Sequence, residues 1–135
     1  MNVVLDTNVL ISGIFFSGLP ARILGAWADG DFELVVSVEI LAEYRWVAER
    51  LQKQFPAIDI NAILDLVTRE SFIVKPVPVP VSACDDPNDL KFLASAVAGH
   101  AGVIVTGDKA LLRTSGVYGI EVVTPREFAR RHINP

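Results

Sequence analysis

Apolar residues fall along this chain in short, nearly unbroken runs, separated by longer stretches of helical periodicity. Val3-Val4-Leu5, Val103-Ile104-Val105 and Glu121-Val122-Val123 lack the alternation of a half-exposed strand. Runs of that kind suit strands buried on both faces, as parallel strands are. Residues 32–36 read as another strand of the set, and Ile73-Val74 as a short further one. The periodic stretches predict helices over residues 20–29, 37–54, 61–71, 86–99 and 109–114, and a last helix opened by the capping box Thr124-Pro125-Arg126-Glu127. Gly30 stops the first of these, Ser37 is placed to N-cap the second, and Pro87 suits a first helical position. Lys75-Pro76-Val77-Pro78-Val79-Pro80-Val81 must be extended, and its prolines cannot donate to a ladder. It is an edge strand or a strap joining two halves of one domain. Strands alternating with helices predict an α/β domain over residues 1–135, with three layers α/β/α around a central, mostly parallel sheet.

That topology concentrates acids. Ligands of an open parallel sheet gather at the carboxyl ends of its strands. Asp6 ends the first strand, and Asp108 lies three residues beyond Val105, past Thr106-Gly107. Crossover helices run antiparallel to the strands, so the helix leading into the Val103 strand begins at the same edge, with Asp86 and Asp89 in its first turn. Glu43 lies six residues past Ser37, about 9 Å along the helix axis. Ile40 and Val47 flank it on one stripe, where an acid requires a reason. Asp6, Glu43, Asp89 and Asp108 are therefore expected at one place.

Two like charges about 4 Å apart repel by about 4 kcal/mol at an effective dielectric of about 20. Such a cluster protonates in part or holds a cation. Oxygen ligands without Cys or His select Mg²⁺ or Mn²⁺, which clamp phosphates and activate water, the chemistry of phosphodiester hydrolysis. Each acid taken alone also has a structural reading. These are an Asx turn or N-cap for Asp6, N-caps for Asp86 and Asp108, a dipole-favoured first turn for Asp89, and pairing with Arg45 or Arg50 for Glu43.

Composition narrows the classes. A chain of 135 residues can bury a core of its own. The net charge of −4, from 16 acids and 12 bases, excludes gripping nucleic acid by bulk charge. A nucleic-acid substrate then needs a cation or a local basic patch, for which Arg45, Arg50 and Lys53 are candidates beside plain solvation. The single Cys84 excludes an internal disulfide and a Cys-based zinc site, and His100 and His132 cannot complete a zinc triad unaided. The opening residues lack the basic region of a signal peptide, and no apolar run is long enough to span a membrane, so a cytoplasmic location is expected. Phe15-Phe16, near Gly13 and Gly18, is the best candidate for exposed apolar contact.

In order along the chain, four segments resemble the motifs of the PIN-domain family of metal-dependent ribonucleases. They are Val-Leu-Asp6-Thr7-Asn8-Val-Leu, Ser37-Val-Glu-Ile-Leu-Ala-Glu43-Tyr, Asp85-Asp86-Pro-Asn-Asp89-Leu-Lys-Phe-Leu-Ala-Ser-Ala and Val-Ile-Val-Thr106-Gly-Asp108-Lys. Gly119-Ile-Glu-Val-Val-Thr-Pro-Arg-Glu-Phe resembles the ending of a bacterial and archaeal subgroup described as toxins of toxin–antitoxin pairs. The resemblance implies that Asp6, Glu43, Asp89 and Asp108 hold Mg²⁺ or Mn²⁺ for attack of water on an RNA phosphodiester. It further implies that Asp86 adds an outer ligand, that Asn8 and Thr106 orient the site, and that the chain is a homodimer inhibited by a small antitoxin protein. Ala110 stands where some relatives carry another acid, and Pro87-Asn88-Asp89-Leu90 is less acidic than the subgroup's third motif. Both departures favour one resident ion, with a second arriving alongside substrate. Two rivals stay open. One is a catalytically inactive PIN-like module that binds RNA or protein. The other is a Mg²⁺-dependent phosphatase with Asp6 as covalent nucleophile, although Asn8 stands where the haloacid-dehalogenase-like phosphatases place a second Asp.

Overall fold

The computed structural model describes residues 1–133. Its strands are β1 (Asn2–Leu5), β2 (Glu33–Val36), β3 (Phe72–Ile73), β4 (Val103–Val105) and β5 (Glu121–Val123). They form one sheet in the order β3-β2-β1-β4-β5, and every neighbouring pair is parallel. Successive side chains of a strand point to opposite faces. Val3, Val4 and Leu5 are all buried, so both faces of the sheet are covered. The covering helices are α1 (Thr7–Phe15), α2 (Leu19–Ala28), α3 (Val38–Gln52), α4 (Ile60–Glu70), α5 (Leu90–Ala98), α6 (Lys109–Leu112) and α7 (Pro125–His132). The result is the three-layer α/β arrangement that the apolar runs predict. One buried apolar cluster extends through it from Val3 to Phe128. Among the described residues no single helix is long and apolar enough to cross a membrane.

Local chemistry sets the helix starts. The Ser37 hydroxyl accepts from the Ile40 N–H at 3.1 Å, and Thr124 does the same for Glu127 at 3.2 Å. The capping box is only half formed, because the Glu127 carboxylate turns to Arg130 and Arg131. The helix expected over residues 86–99 opens as a 3₁₀ turn, Pro87–Asp89, before α5 begins. The last bond to β2 is from the Val74 N–H to the Val36 carbonyl at 2.8 Å, and the proline segment beyond it is a strap rather than an edge strand. Pro76, Pro78 and Pro80 offer no N–H to a neighbour.

Helix α1 corrects the sequence reading, which assigns residues 7–15 no element. Val9, Ile11 and Ile14 are β-branched and Gly13 lowers helix propensity further. Tertiary packing overrides that preference: Val9, Leu10, Ile11 and Phe15 are buried, and α1 packs against α2 and α3. The α1–α2 corner is tight enough to demand glycine, since a Cβ on Gly13 would lie 2.7 Å from the Pro20 carbonyl oxygen. Gly13→Ala is expected to lower stability by about 1–3 kcal/mol through overpacking, although alanine is the better helix former. A urea titration measures this, and a raised midpoint would remove the packing explanation.

Strands β2 and β3 lie on one side of β1, with β4 and β5 on the other. The winding direction therefore reverses between β1 and β4. In open α/β sheets that reversal leaves a crevice at the carboxyl ends of the two strands, where ligands bind.

Candidate metal centre

Asp6 and Thr106 are the first residues past the two strands that flank this crevice. The Asp6 N–H donates to the Val105 carbonyl at 2.9 Å and extends the ladder. Its own carbonyl accepts from Val9 and Leu10 and starts α1. The Asp6 side chain makes no capping hydrogen bond, so the N-cap reading fails for it. Instead Oδ2 accepts the Thr106 hydroxyl proton at 2.6 Å. The same Thr106 oxygen accepts from the Asp108 N–H at 2.9 Å. Thr106 is fully buried and ties the two acids together.

Asp108 does cap its helix: Oδ1 accepts from the Ala110 N–H at 3.0 Å. Asp86 likewise caps the 3₁₀ turn through Asn88 at 3.0 Å. Capping does not remove either from the cluster. One carboxylate oxygen from each of Asp86, Asp89 and Asp108 lies within 4.8 Å of the others. Asp89 is 6% exposed, and its buried Oδ2 meets no hydrogen-bond partner among the described residues. A buried acceptor left bare costs about 1–3 kcal/mol, more if charged. A cation on that oxygen removes the cost, and the donor set of hard carboxylates fits Mg²⁺ or Mn²⁺.

Asp6, Asn8, Glu43, Asp89 and Asp108 line one cavity of about 560 Å³. Glu43 is reached by the Thr7 hydroxyl and by Lys91, whose Nζ lies 3.1 Å from Oε1. The expected pairing with Arg45 or Arg50 does not occur. Arg45 faces α4, bonding Asn61 at 3.1 Å and pairing with Asp65 at 3.9 Å, while Arg50 stacks on Trp46. Sequence reasoning missed Lys91. Its signal was its isolation, as the one charged residue in an otherwise apolar and small helix, LKFLASAVA. Thr7 was missed too, because a hydroxyl beside Asp6 reads equally well as a turn residue.

The cluster distorts its own titration. Burial pushes the Asp89 carboxyl up to about 7, helped by a hydrogen shared with Asp108 and by the charges of Asp108, Asp6 and Asp86. Burial also raises Asp6, against the lowering effect of the Thr106 hydrogen bond, with Asp108 and Glu43 pushing it further up. Both shifts come first from burial and then from the neighbouring negative charges.

The remaining candidates do not line this cavity, although Cys84 sits close behind the acids, its Sγ 3.7 Å from the Ala110 carbonyl. Cys84 is buried and packs, His100 follows the end of α5 in a left-handed conformation, and His132 is exposed beside the Phe128 ring. Of the pair Phe15-Phe16, Phe15 is buried and Phe16 is exposed.

A parallel sheet with acids gathered at its switch point defines an α/β domain with a candidate cation site. A family model described as the PIN domain matches residues 2–110. The chain belongs to the PIN-domain family, whose members are in general metal-dependent nucleases. The matched span contains Asp6, Glu43, Asp86, Asp89 and Asp108. No curated protein matches the chain.

Proposed function

We propose that this protein is a Mg²⁺- or Mn²⁺-dependent endoribonuclease, the toxin of a toxin–antitoxin pair, with Asp6, Glu43, Asp89 and Asp108 as its site. The observation that carries this reading is the bare, buried Oδ2 of Asp89 inside a cluster of acids at the sheet's switch point. Asp6, Glu43, Asp89 and Asp108, which line one cavity, would hold the ion, with Asp86 adding an outer ligand beside Asp89 and Asp108. When bound, such an ion supplies Lewis acidity at a phosphoryl oxygen and lowers the pKa of a water. Thr106 fixes the orientation of the Asp6 carboxylate, and Asn8 offers an amide at the cavity wall. The Lys91 ammonium offsets the charge of Glu43 and so limits repulsion of an incoming phosphate. The toxin role, the antitoxin and the homodimer rest on the motif resemblance.

Incubating the protein with single-stranded RNA in Mn²⁺, in Mg²⁺ and in EDTA tests the reading. Internal cleavage in either metal, absent in EDTA and absent in Asp6→Asn, is the expected result. RNA that stays intact under all conditions while still binding would favour the inactive-module reading. A phospho-aspartate trapped at Asp6 would favour the phosphatase.

A further inference from the structure

We propose that the seam between α1 and α3 docks the bases of single-stranded RNA beside the cleaved phosphate, with the Trp46 indole as stacking platform and the Arg50 guanidinium as phosphate contact. The inference names the substrate form for the site above and so rests on the nuclease reading. A second cavity of about 370 Å³ opens along this seam. Asn8 and Val47 line both it and the acidic cavity, so the two cavities adjoin along α1 and α3. On α3 the positions Glu43, Val47 and Arg50 lead away from the acids at i, i+4 and i+7, about 10 Å of helix. Trp46, one turn on from Glu43 and beside Val47, is 59% exposed. Phe16, 49% exposed, lines the same stretch and is braced edge-on by Phe55 with ring centroids 5.5 Å apart. The Arg50 guanidinium carbon lies 4.1 Å from the indole centroid, and Arg50 joins no ion pair among the described residues.

Charge complementarity selects the occupant. A chain of net charge −4 repels a polyanion everywhere except at a bound cation and at local unpaired cations. The trough has the acids for a cation at one end and, at the other, a guanidinium that joins no carboxylate among the described residues and lies over one face of the Trp46 indole, leaving the opposite face for a base. Aromatic faces between phosphate contacts are how single strands are held without regard to sequence. A duplex hides its base faces inside the stack and cannot use them.

Tryptophan fluorescence reads the proposal directly. Trp46 is exposed, while Trp27, the other tryptophan, is buried and serves as internal reference. Full-length wild type, Trp46→Leu and Arg50→Gln are mixed in a stopped-flow instrument with short oligouridylate, or with duplex RNA, in Mg²⁺. Cleavage of the same oligouridylate is followed in parallel. The single strand is expected to quench wild type and the duplex to leave it unquenched. Trp46→Leu should lose the quench and bind about tenfold more weakly, with KM raised and kcat unchanged. Arg50→Gln should lower the slope of log K against log salt by about 0.7, the loss of one phosphate contact.

Equal affinity in wild type and Trp46→Leu, or equal quenching by duplex, would overturn the proposal. A wild-type dimer that dissociates in Trp46→Leu while RNA affinity stays unchanged would do so too, assigning the platform to a second copy of this chain. Cleavage that ignores both variants removes the trough and leaves the nuclease. Quenching through Trp46 without any cleavage keeps the trough and removes the nuclease.

Discussion

Asp89→Asn is expected to stabilise the metal-free protein while lowering RNA cleavage by at least about a hundredfold. The two effects have one cause. Asp89 is nearly fully buried, its Oδ2 has no partner among the described residues, and its carboxyl titrates near 7. In the unfolded chain the same group titrates near about 3.9. Below about pH 4 both states carry the proton and Asp89 costs nothing. Between about pH 4 and 7 the folded state still binds a proton that the unfolded state has released, so stability falls as pH rises. Above about pH 7 the whole penalty for a buried, unpaired charge is present. Asparagine keeps the shape, cannot ionise, and donates to Asp108 the hydrogen that Asp89 shares only when protonated. Removing an unsatisfied buried group of this kind gains about 1–3 kcal/mol, or several degrees in melting temperature at about pH 8. The gain should shrink by about pH 5. The variant also loses a carboxylate from the ion's ligand set, so the rise in melting temperature that Mn²⁺ gives wild type should disappear. Thermal scans at the two pH values, with Mn²⁺ and with EDTA, read all of this. A variant that is less stable at about pH 8 yet still active would make Asp89 an ordinary structural residue.

The same tension explains what was legible in the sequence. The strands were legible because a parallel strand is buried on both faces and writes itself as an unbroken apolar run, as at Val103-Ile104-Val105. The acids were legible because strand ends and crossover-helix starts share an edge, so Asp6, Asp89 and Asp108 needed no contact information to be placed together. Helix α1 was not legible. Its β-branched residues and Gly13 argue against a helix locally, and only burial against α2 and α3 makes one. The partner of Glu43 was not legible either. Arg45 and Arg50 lie close in sequence, but α3 turns Arg45 toward α4 and Arg50 onto Trp46, leaving Lys91 from another helix to reach the carboxylate. Sequence proximity ranks candidates by contour distance, and ion pairs form by direction. Asp108 and Asp86 carry a further lesson: a capping role and a place in the acid cluster held together, because a carboxylate has two oxygens and a cap uses one.

Thr106→Val is expected to cost about 2–3 kcal/mol of stability, roughly 10 °C in melting temperature, although it keeps the branching and nearly the same shape. The loss lies chiefly in hydrogen bonds. Thr106 Oγ1 donates to Asp6 Oδ2 at 2.6 Å and accepts from the Asp108 N–H at 2.9 Å, in a place with no exposure to water. Valine leaves a buried carboxylate oxygen and a backbone N–H without those partners. It also removes the bond that lowers the Asp6 carboxyl against the upward push of burial and of the Asp108 and Glu43 charges. Asp6 therefore rises further, and Mn²⁺ should need a higher pH to produce the same thermal shift, since the ion competes with that proton. Thr106→Ser separates the two contributions of the side chain. It keeps the hydroxyl and drops the methyl, so it should retain the wild-type pH dependence of the Mn²⁺ shift and lose only the packing of one methyl group. Calorimetry across pH on the three proteins gives the comparison. Equal losses in Val and Ser, with one common pH profile, would place the role of Thr106 in its methyl group and leave Asp6 held by the strand alone.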